Sequence, residues 1–454
     1  MQIRTPLLLL LSLSASRLFA ADAAKPAEYP SDWIDPDTGH RIVRLTNEPG
    51  SASLYFHQNP FTPKGDKMVI ITPEGLATIN LQTRAVELVA PGVRYGMGSS
   101  AGVEVSRKTP TVYYQKNIDG HTVIYATNVD TKATREIISL PFTGEFGGVS
   151  ADETMIIGKT NVPGTGAPQA RANAPSAGAT PAAAADGQGR QGQGGRRGGG
   201  GGGAAGGARR QLQFFSVNIA TGELKTFHPT TDSLNHIQSS PTDPNLVLYC
   251  HEGEWHEVDR IWTMHNDGSA MRLMHQRTMQ YEIAGHEFFS HDGQQVWYDL
   301  QTPRSVEFWL AAVNPYTGER IRYPITREEW SVHYNISWSG KLFSGDGGGP
   351  DGVANMTPLP EAKTLNPPVN NKWLYLFTPT RQIDTIKVAG ETVKVGHFTT
   401  EKLFNMAPHD YSKRTGVEPN LIFTPDDKWL VFRSKMQGNE LQVYAVEIAK
   451  AGKK

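Results

Sequence analysis

The chain holds one cysteine, Cys250, so no disulfide can form within it. That thiol continues the apolar run Leu246-Val247-Leu248-Tyr249 and reads as a packed small side chain, not a nucleophile. An excess of one charge is also missing. Lys and Arg number 44 against 45 Asp and Glu, a net charge of −1. Such a balance offers no field for a nucleic acid or an anionic membrane surface. No apolar stretch approaches the 18 or so residues of a spanning helix. Long amphipathic helical patterns are scarce, whereas Gly, Pro, Tyr and Trp are plentiful, which points to β structure. There is no Ser nucleophile elbow, Walker loop, HExxH helix or cysteine-based zinc pattern. The N-terminus does carry a short signal. Met1 to Arg4 is positively charged, Pro6 to Leu13 is apolar, and Leu18-Phe19-Ala20 ends in a small residue. Residues 1–20 are therefore expected to be a signal peptide, with the remainder periplasmic or secreted.

What is present is a repeat. A polar turn followed by an apolar strand appears as Phe61-Thr62-Pro63-Lys64-Gly65-Asp66 before Lys67-Met68-Val69-Ile70. It recurs from Val105, Val149, Ser240, Phe289, Ser337 and Phe423. After most copies comes an alternating strand that ends in an Asn/Thr/Gly turn, as in Phe215 to Gly222 and Leu310 to Gly318. Where nothing intervenes the copies lie about 44 to 50 residues apart, the length of a four-stranded propeller blade. Seven copies predict an all-β fold, one seven-bladed β-propeller over residues 21–454. Arg41 to Thr46 is expected to pair with the last blade and close the ring. Residues 163–210 are Gly/Ala/Arg/Gln-rich with almost no bulky apolar side chain, so they read as a disordered insertion in the third blade. Gly345 to Lys372 reads as a Gly/Pro-rich loop, and Ala389 to Tyr411 as a further excursion.

Chemistry concentrates between Asn235 and Asp299, where seven of the 14 histidines fall. His251 stands at a strand end before Glu252-Gly253, where a neutral imidazole can take a proton. His286, in Gly285-His286-Glu287, is a candidate metal ligand with Glu287 holding its second nitrogen. His333, His409-Asp410 and the pair Glu418 and Asn420 extend the set. Imidazole with carboxylate and amide oxygens suits a divalent ion such as Mn²⁺. Arg304, Trp255, His333 and Tyr334 are candidates to hold sugars.

At these residues the chain resembles the oligogalacturonate lyases of polysaccharide lyase family 22. The resemblance rests on Trp33-Ile34-Asp35-Pro36-Asp37-Thr38-Gly39, Cys250-His251-Glu252-Gly253, Gly285-His286-Glu287-Phe288, Gly345-Asp346-Gly347 and Phe423-Thr424-Pro425-Asp426. It implies a seven-bladed propeller that cleaves short uronate chains by β-elimination, with a histidine base and Mn²⁺ or another divalent cation. It makes His251 the base, matches His236 in the same catalytic region, and makes His286 a metal ligand. The family's Gln-x-x-His-x-His run reads Thr415-Gly416-Val417-Glu418-Pro419-Asn420 here. Glu418 and Asn420 thus replace two histidines, and His409 is expected to supply the missing nitrogen ligand. In His236-Ile237-Gln238-Ser239-Ser240-Pro241 the family's carboxylate-binding arginine is absent. Two other readings compete. One is a non-catalytic propeller that binds carbohydrate or protein. The other is a glycoside hydrolase drawing two carboxylates from Glu252, Glu254, Glu287 and Glu418.

Overall fold

In the computed structural model, residues 30–93, 102–165, 210–253, 255–348, 373–406 and 417–452 are described, and they form the seven-bladed β-propeller. In chain order the blades span residues 52–91, 103–139, 144–230, 233–273, 283–325, 334–405 and 422–450. Every copy of the repeated turn lands between the innermost strand of a blade and its neighbour. The residues there explain why. Ser150 donates to Asp152, Ser290 to Asp292 and Thr424 to Asp426, so each short side chain fixes the loop locally. The second repeated turn joins the third strand to the outermost one. There Asn80, Asn128, Asn218 and Asn314 each accept two backbone N–H groups from the residues two and three ahead.

Alternation along the strands builds the core between blades rather than inside one. Ile70 and Met68 pack with Val431 and Val443 of blade seven, while Val69 faces Val105 and Val112 of blade two. Each junction has an apolar cluster of this kind, so both faces of a blade are buried. The ring closes as the sequence implies. His40–Arg44 pairs with Gln442–Lys450, with Val43 opposite Ala445, and Asp32–Ile34 adds outside it.

Two expectations on blade six change. The excursion after Ala389 is in fact a strand. Trp373–Val388 and Glu391–Asn405 form one long hairpin turning at Ala389-Gly390. Many of its residues are exposed, so the polar sequence conceals strand rather than marking a loop. Gly345 also ends a strand, Phe343–Gly345, instead of opening a loop. The hairpin reaches blade five, where Ile321 and Arg322 pair in parallel with Lys394 and Val395, so blades five and six share one eight-stranded sheet. The signal peptide, nearly all of the 163–210 insertion, and His409 lie outside the described residues.

Candidate active site at one mouth of the ring

Residues from all seven blades line a cavity of about 50 Å³ on the ring axis, among them His57, Glu104, Gly147, Gln238, Phe288, Asn335 and Ile422. The segment Tyr55-Phe56-His57 fills the middle of the mouth. Asn335 of blade six donates to the Phe56 carbonyl, and the Phe56 N–H donates to Asn420 Oδ1 of blade seven. Around this segment four imidazoles converge. Ring centroids are 5.6 Å apart for His57 and His236 and 4.7 Å for His286 and His333.

Backbone irregularity aims these side chains. His236 and Ile237 lie opposite one partner residue, as do His286 and Glu287, so each innermost strand carries a bulge. Both histidines have left-handed backbone, φ 45° and 52°, and Asn420 has φ 52°. The bulge turns neighbouring side chains toward different partners. Glu287 therefore does not hold the second nitrogen of His286, as the sequence suggested. Its Oε1 lies 3.2 Å from His236 Nδ1. Glu287 is fully buried, and neither of its oxygens makes a hydrogen bond. The Nδ1 atoms of His57, His236 and His286 are buried and likewise without hydrogen bonds. Ligand atoms of His236, Cys250 and Glu287 lie within 4.8 Å of one another. A buried carboxylate is costly without a compensating charge. These donors therefore fit a divalent cation.

Electrostatics keeps the set ready. Burial holds His286 well below the usual imidazole value, and His333, His236, Arg260 and His57 add to that. Burial, then His236 and His333, does the same for His57. His333 goes the other way. Burial opposes its protonation, yet Asp346 and Glu418 raise it. Its Nδ1 lies 2.8 Å from Asp346 Oδ2 and its Nε2 3.1 Å from the Tyr55 hydroxyl, with Glu418 Oε2 at 3.8 Å.

His251 stands in another setting. The register puts it opposite Leu234, with Cys250 opposite Asn235. Its side chain is 24% exposed, with Nε2 3.5 Å from Asp232 Oδ1. The described contacts join His286 to His333, His333 to Glu418 and His236 to Glu287, whereas the ion pair of His251 is with Asp232. Trp255 packs 5.1 Å from His286, under the Arg260 guanidinium at 3.9 Å, and a Cβ on Gly285 would strike its ring.

Three assignments need correction. Tyr334 is 1% exposed and its hydroxyl accepts the Ser331 N–H, so it is a core residue and cannot carry a sugar. His333 is also 1% exposed with both ring nitrogens engaged, which leaves it no surface for substrate. The Asn420 amide is tied up in the fold, accepting from Phe56 N and donating to the Glu418 carbonyl. Arg304 is 5% exposed, more enclosed than an arginine at a blade edge suggests. Sequence reasoning passed over Tyr55, His57 and Asp232. The first two sit just before the first repeat copy, and only ring closure brings them to the centre.

Beneath the site, Asp299 pairs across from Gly285 and is 1% exposed. Burial pushes its carboxyl up to about 7, against hydrogen bonds from Gln301 and Trp330. A raised carboxyl favours the folded state fully below the ordinary value near 3.8, and that contribution is lost as pH rises through about 7. Asp299→Asn should therefore gain about 2–3 kcal/mol on the wild type between roughly pH 5 and pH 8. Denaturant unfolding at the two pH values checks this, and an unchanged difference would contradict the raised carboxyl.

The ring and its converging histidines define a seven-bladed propeller with a candidate cation site at His236, Cys250 and Glu287. Within that class the chain belongs to the oligogalacturonate lyase family, whose model matches residues 209–451. It is 29% identical over 240 residues to an oligogalacturonate lyase of Dickeya dadantii (strain 3937), covering 49% of this chain and 52% of that protein. It is 27% identical over 227 residues to an oligogalacturonide lyase of Pectobacterium atrosepticum, with the same coverage. The chain thus spans about half the length of the curated relatives it matches. The fold is similar to a solved oligogalacturonate lyase in complex with manganese. The TM-score is 0.66 at 19% identity, covering 94% of this chain and 97% of that one. An oligogalacturonate lyase from Vibrio parahaemolyticus gives 0.65 at 20% identity, covering 92% and 96%.

Proposed function

We propose that the protein cleaves short uronate oligosaccharides by metal-assisted β-elimination. The observation that carries this is the set of buried, unbonded imidazole nitrogens and Glu287 oxygens at one mouth. His236 and Glu287, with the Cys250 thiol among the same ligand atoms and His286 next in the chain, would hold the cation, and the manganese of the similar solved structure is consistent with such a set. When bound, the cation supplies a Lewis acid for the substrate carboxylate, which lowers the cost of charge developing there. The chain's own groups do the rest. Asp232 beside Nε2 orients the His251 ring and leaves Nδ1 to take the C5 proton, which is weakly acidic because it adjoins the carboxylate. The C5–H electrons form the C4–C5 double bond and the C4–O4 bond breaks. Trp255, part-exposed beside His286, would meet a neighbouring sugar with the part of its ring that Arg260 leaves uncovered.

A glycoside hydrolase needs two carboxyl groups facing the bond. Glu287 is fully buried, and Glu252 is held by Arg260 at 3.1 Å. The N-terminal signal read from the sequence supports a reaction in the periplasm or outside the cell, and no described helix is long and apolar enough to cross a membrane. Incubation with oligogalacturonate and Mn²⁺ tests the reading. A rise in unsaturated-uronate absorbance is expected, and binding without any such product would leave a carbohydrate-binding propeller instead.

A further inference from the structure

Three groups at the mouth form a line that the reaction as described does not use. Asp346 accepts from the backbone N–H of His333 through Oδ1, at 2.9 Å, and faces Nδ1 of the same residue through Oδ2, at 2.8 Å. His333 Nε2 then meets the Tyr55 hydroxyl at 3.1 Å. Asp346 and His333 are each 1% exposed, and Asp346 is further fixed by the Asn420 N–H at 3.3 Å. Tyr55 is only half-buried, so the line runs from the interior out to the mouth. Its ring is braced edge-on by His57 at 5.0 Å and by His333 at 5.3 Å, and it packs 5.7 Å from His236.

A carboxylate that fixes the tautomer of a histidine, which in turn touches a hydroxyl, is the arrangement that moves a proton through that hydroxyl. We propose that Tyr55, positioned by His333 and Asp346, is the general acid that protonates the O4 leaving group. This rests on the β-elimination reading above. As the C4–O4 bond breaks, both its electrons go to O4, which takes the phenolic proton. The C5 proton is then on His251, and the C5–H electrons have become the double bond. The phenolate regains a proton from water and His251 releases the C5 proton to water, so both groups return to their starting state, while His333 keeps Nδ1–H on Asp346 and holds the Tyr55 oxygen through Nε2. The phenol is suited to this role because the His333 contact holds its oxygen at the part-exposed end of the line. Tyr55 would be the catalytic residue, and His333 and Asp346 positioning residues.

The test separates the two proton transfers. Wild type, Tyr55→Phe and His333→Gln are each incubated with trigalacturonate in D₂O. Unsaturated product and deuterium at C5 of recovered substrate are measured together. Tyr55→Phe should slow product formation by about 10²–10⁴-fold while C5 exchange continues, because the base is untouched. His333→Gln should lower kcat with KM held, by less than Tyr55→Phe. An O4-aryl uronate, whose leaving group needs no acid, should bring Tyr55→Phe to within about tenfold of wild type. Product formation by Tyr55→Phe within twofold of wild type overturns the proposal, and so does parallel loss of exchange and product. A wild type that neither exchanges nor eliminates sinks the lyase reading and the relay with it. A fully active wild type beside an unimpaired Tyr55→Phe sinks the relay alone.

Discussion

Replacing His286 with alanine is expected to strip the protein of its divalent cation and to slow turnover by about 10³-fold, the scale of a Lewis acid worth several kcal/mol. The residue is 9% exposed, its Nδ1 makes no hydrogen bond, and burial keeps the ring neutral well below the ordinary imidazole range. A neutral, unbonded imidazole is what a cation requires. The backbone complicates the experiment, since φ is 52° and alanine tolerates that region poorly. His286→Asn is therefore the companion variant, because asparagine accepts left-handed backbone while removing the imidazole. Elemental analysis after dialysis reads metal content, and turnover is followed by absorbance. If both variants keep a full complement of metal, His286 is not a ligand.

His251→Ala should cost about 10²–10⁴-fold in kcat with bound metal unchanged. The side chain is part-exposed and its close charged neighbour is Asp232, so stability should shift by no more than about 0.5–1 kcal/mol. Loss of rate without loss of metal or fold is the signature of a base. Activity equal to wild type would pass that role to another imidazole of the mouth, with His236 first, since its Nδ1 lies beside Glu287. The two variants thus separate cation from base.

The ring was legible because its punctuation is local. A Ser or Thr two residues before an Asp, or an Asn that accepts two following amides, bonds within its own turn and needs no tertiary partner. The first signal occurs at three copies and the second at four, and the spacing did the rest. The blade-six hairpin was hidden because its outer half, Gln382 to Lys387, is solvent-exposed and shows no apolar alternation. At the site, His286 and His236 were visible as residue types, but their direction was not. Left-handed bulges at histidine carry no glycine to announce them, so the partner of Glu287 was misread. Tyr334 was misassigned because an aromatic beside a histidine looks the same in sequence whether it faces sugar or core. Tyr55 and His57 were missed for a topological reason. They belong to blade one, and their neighbours come from blades four to seven.

The clasp of the ring has a further bearing on when the protein becomes competent. Glu418 precedes the last blade, and that sheet is finished only when Gln442–Lys450, the last strand of the described chain, docks beside His40–Arg44, the second. During synthesis or refolding, the imidazoles of the middle blades would therefore exist before the groups that complete their surroundings. Chemistry would start only after the two ends of the polypeptide meet, which makes end-to-end docking the event that arms the molecule.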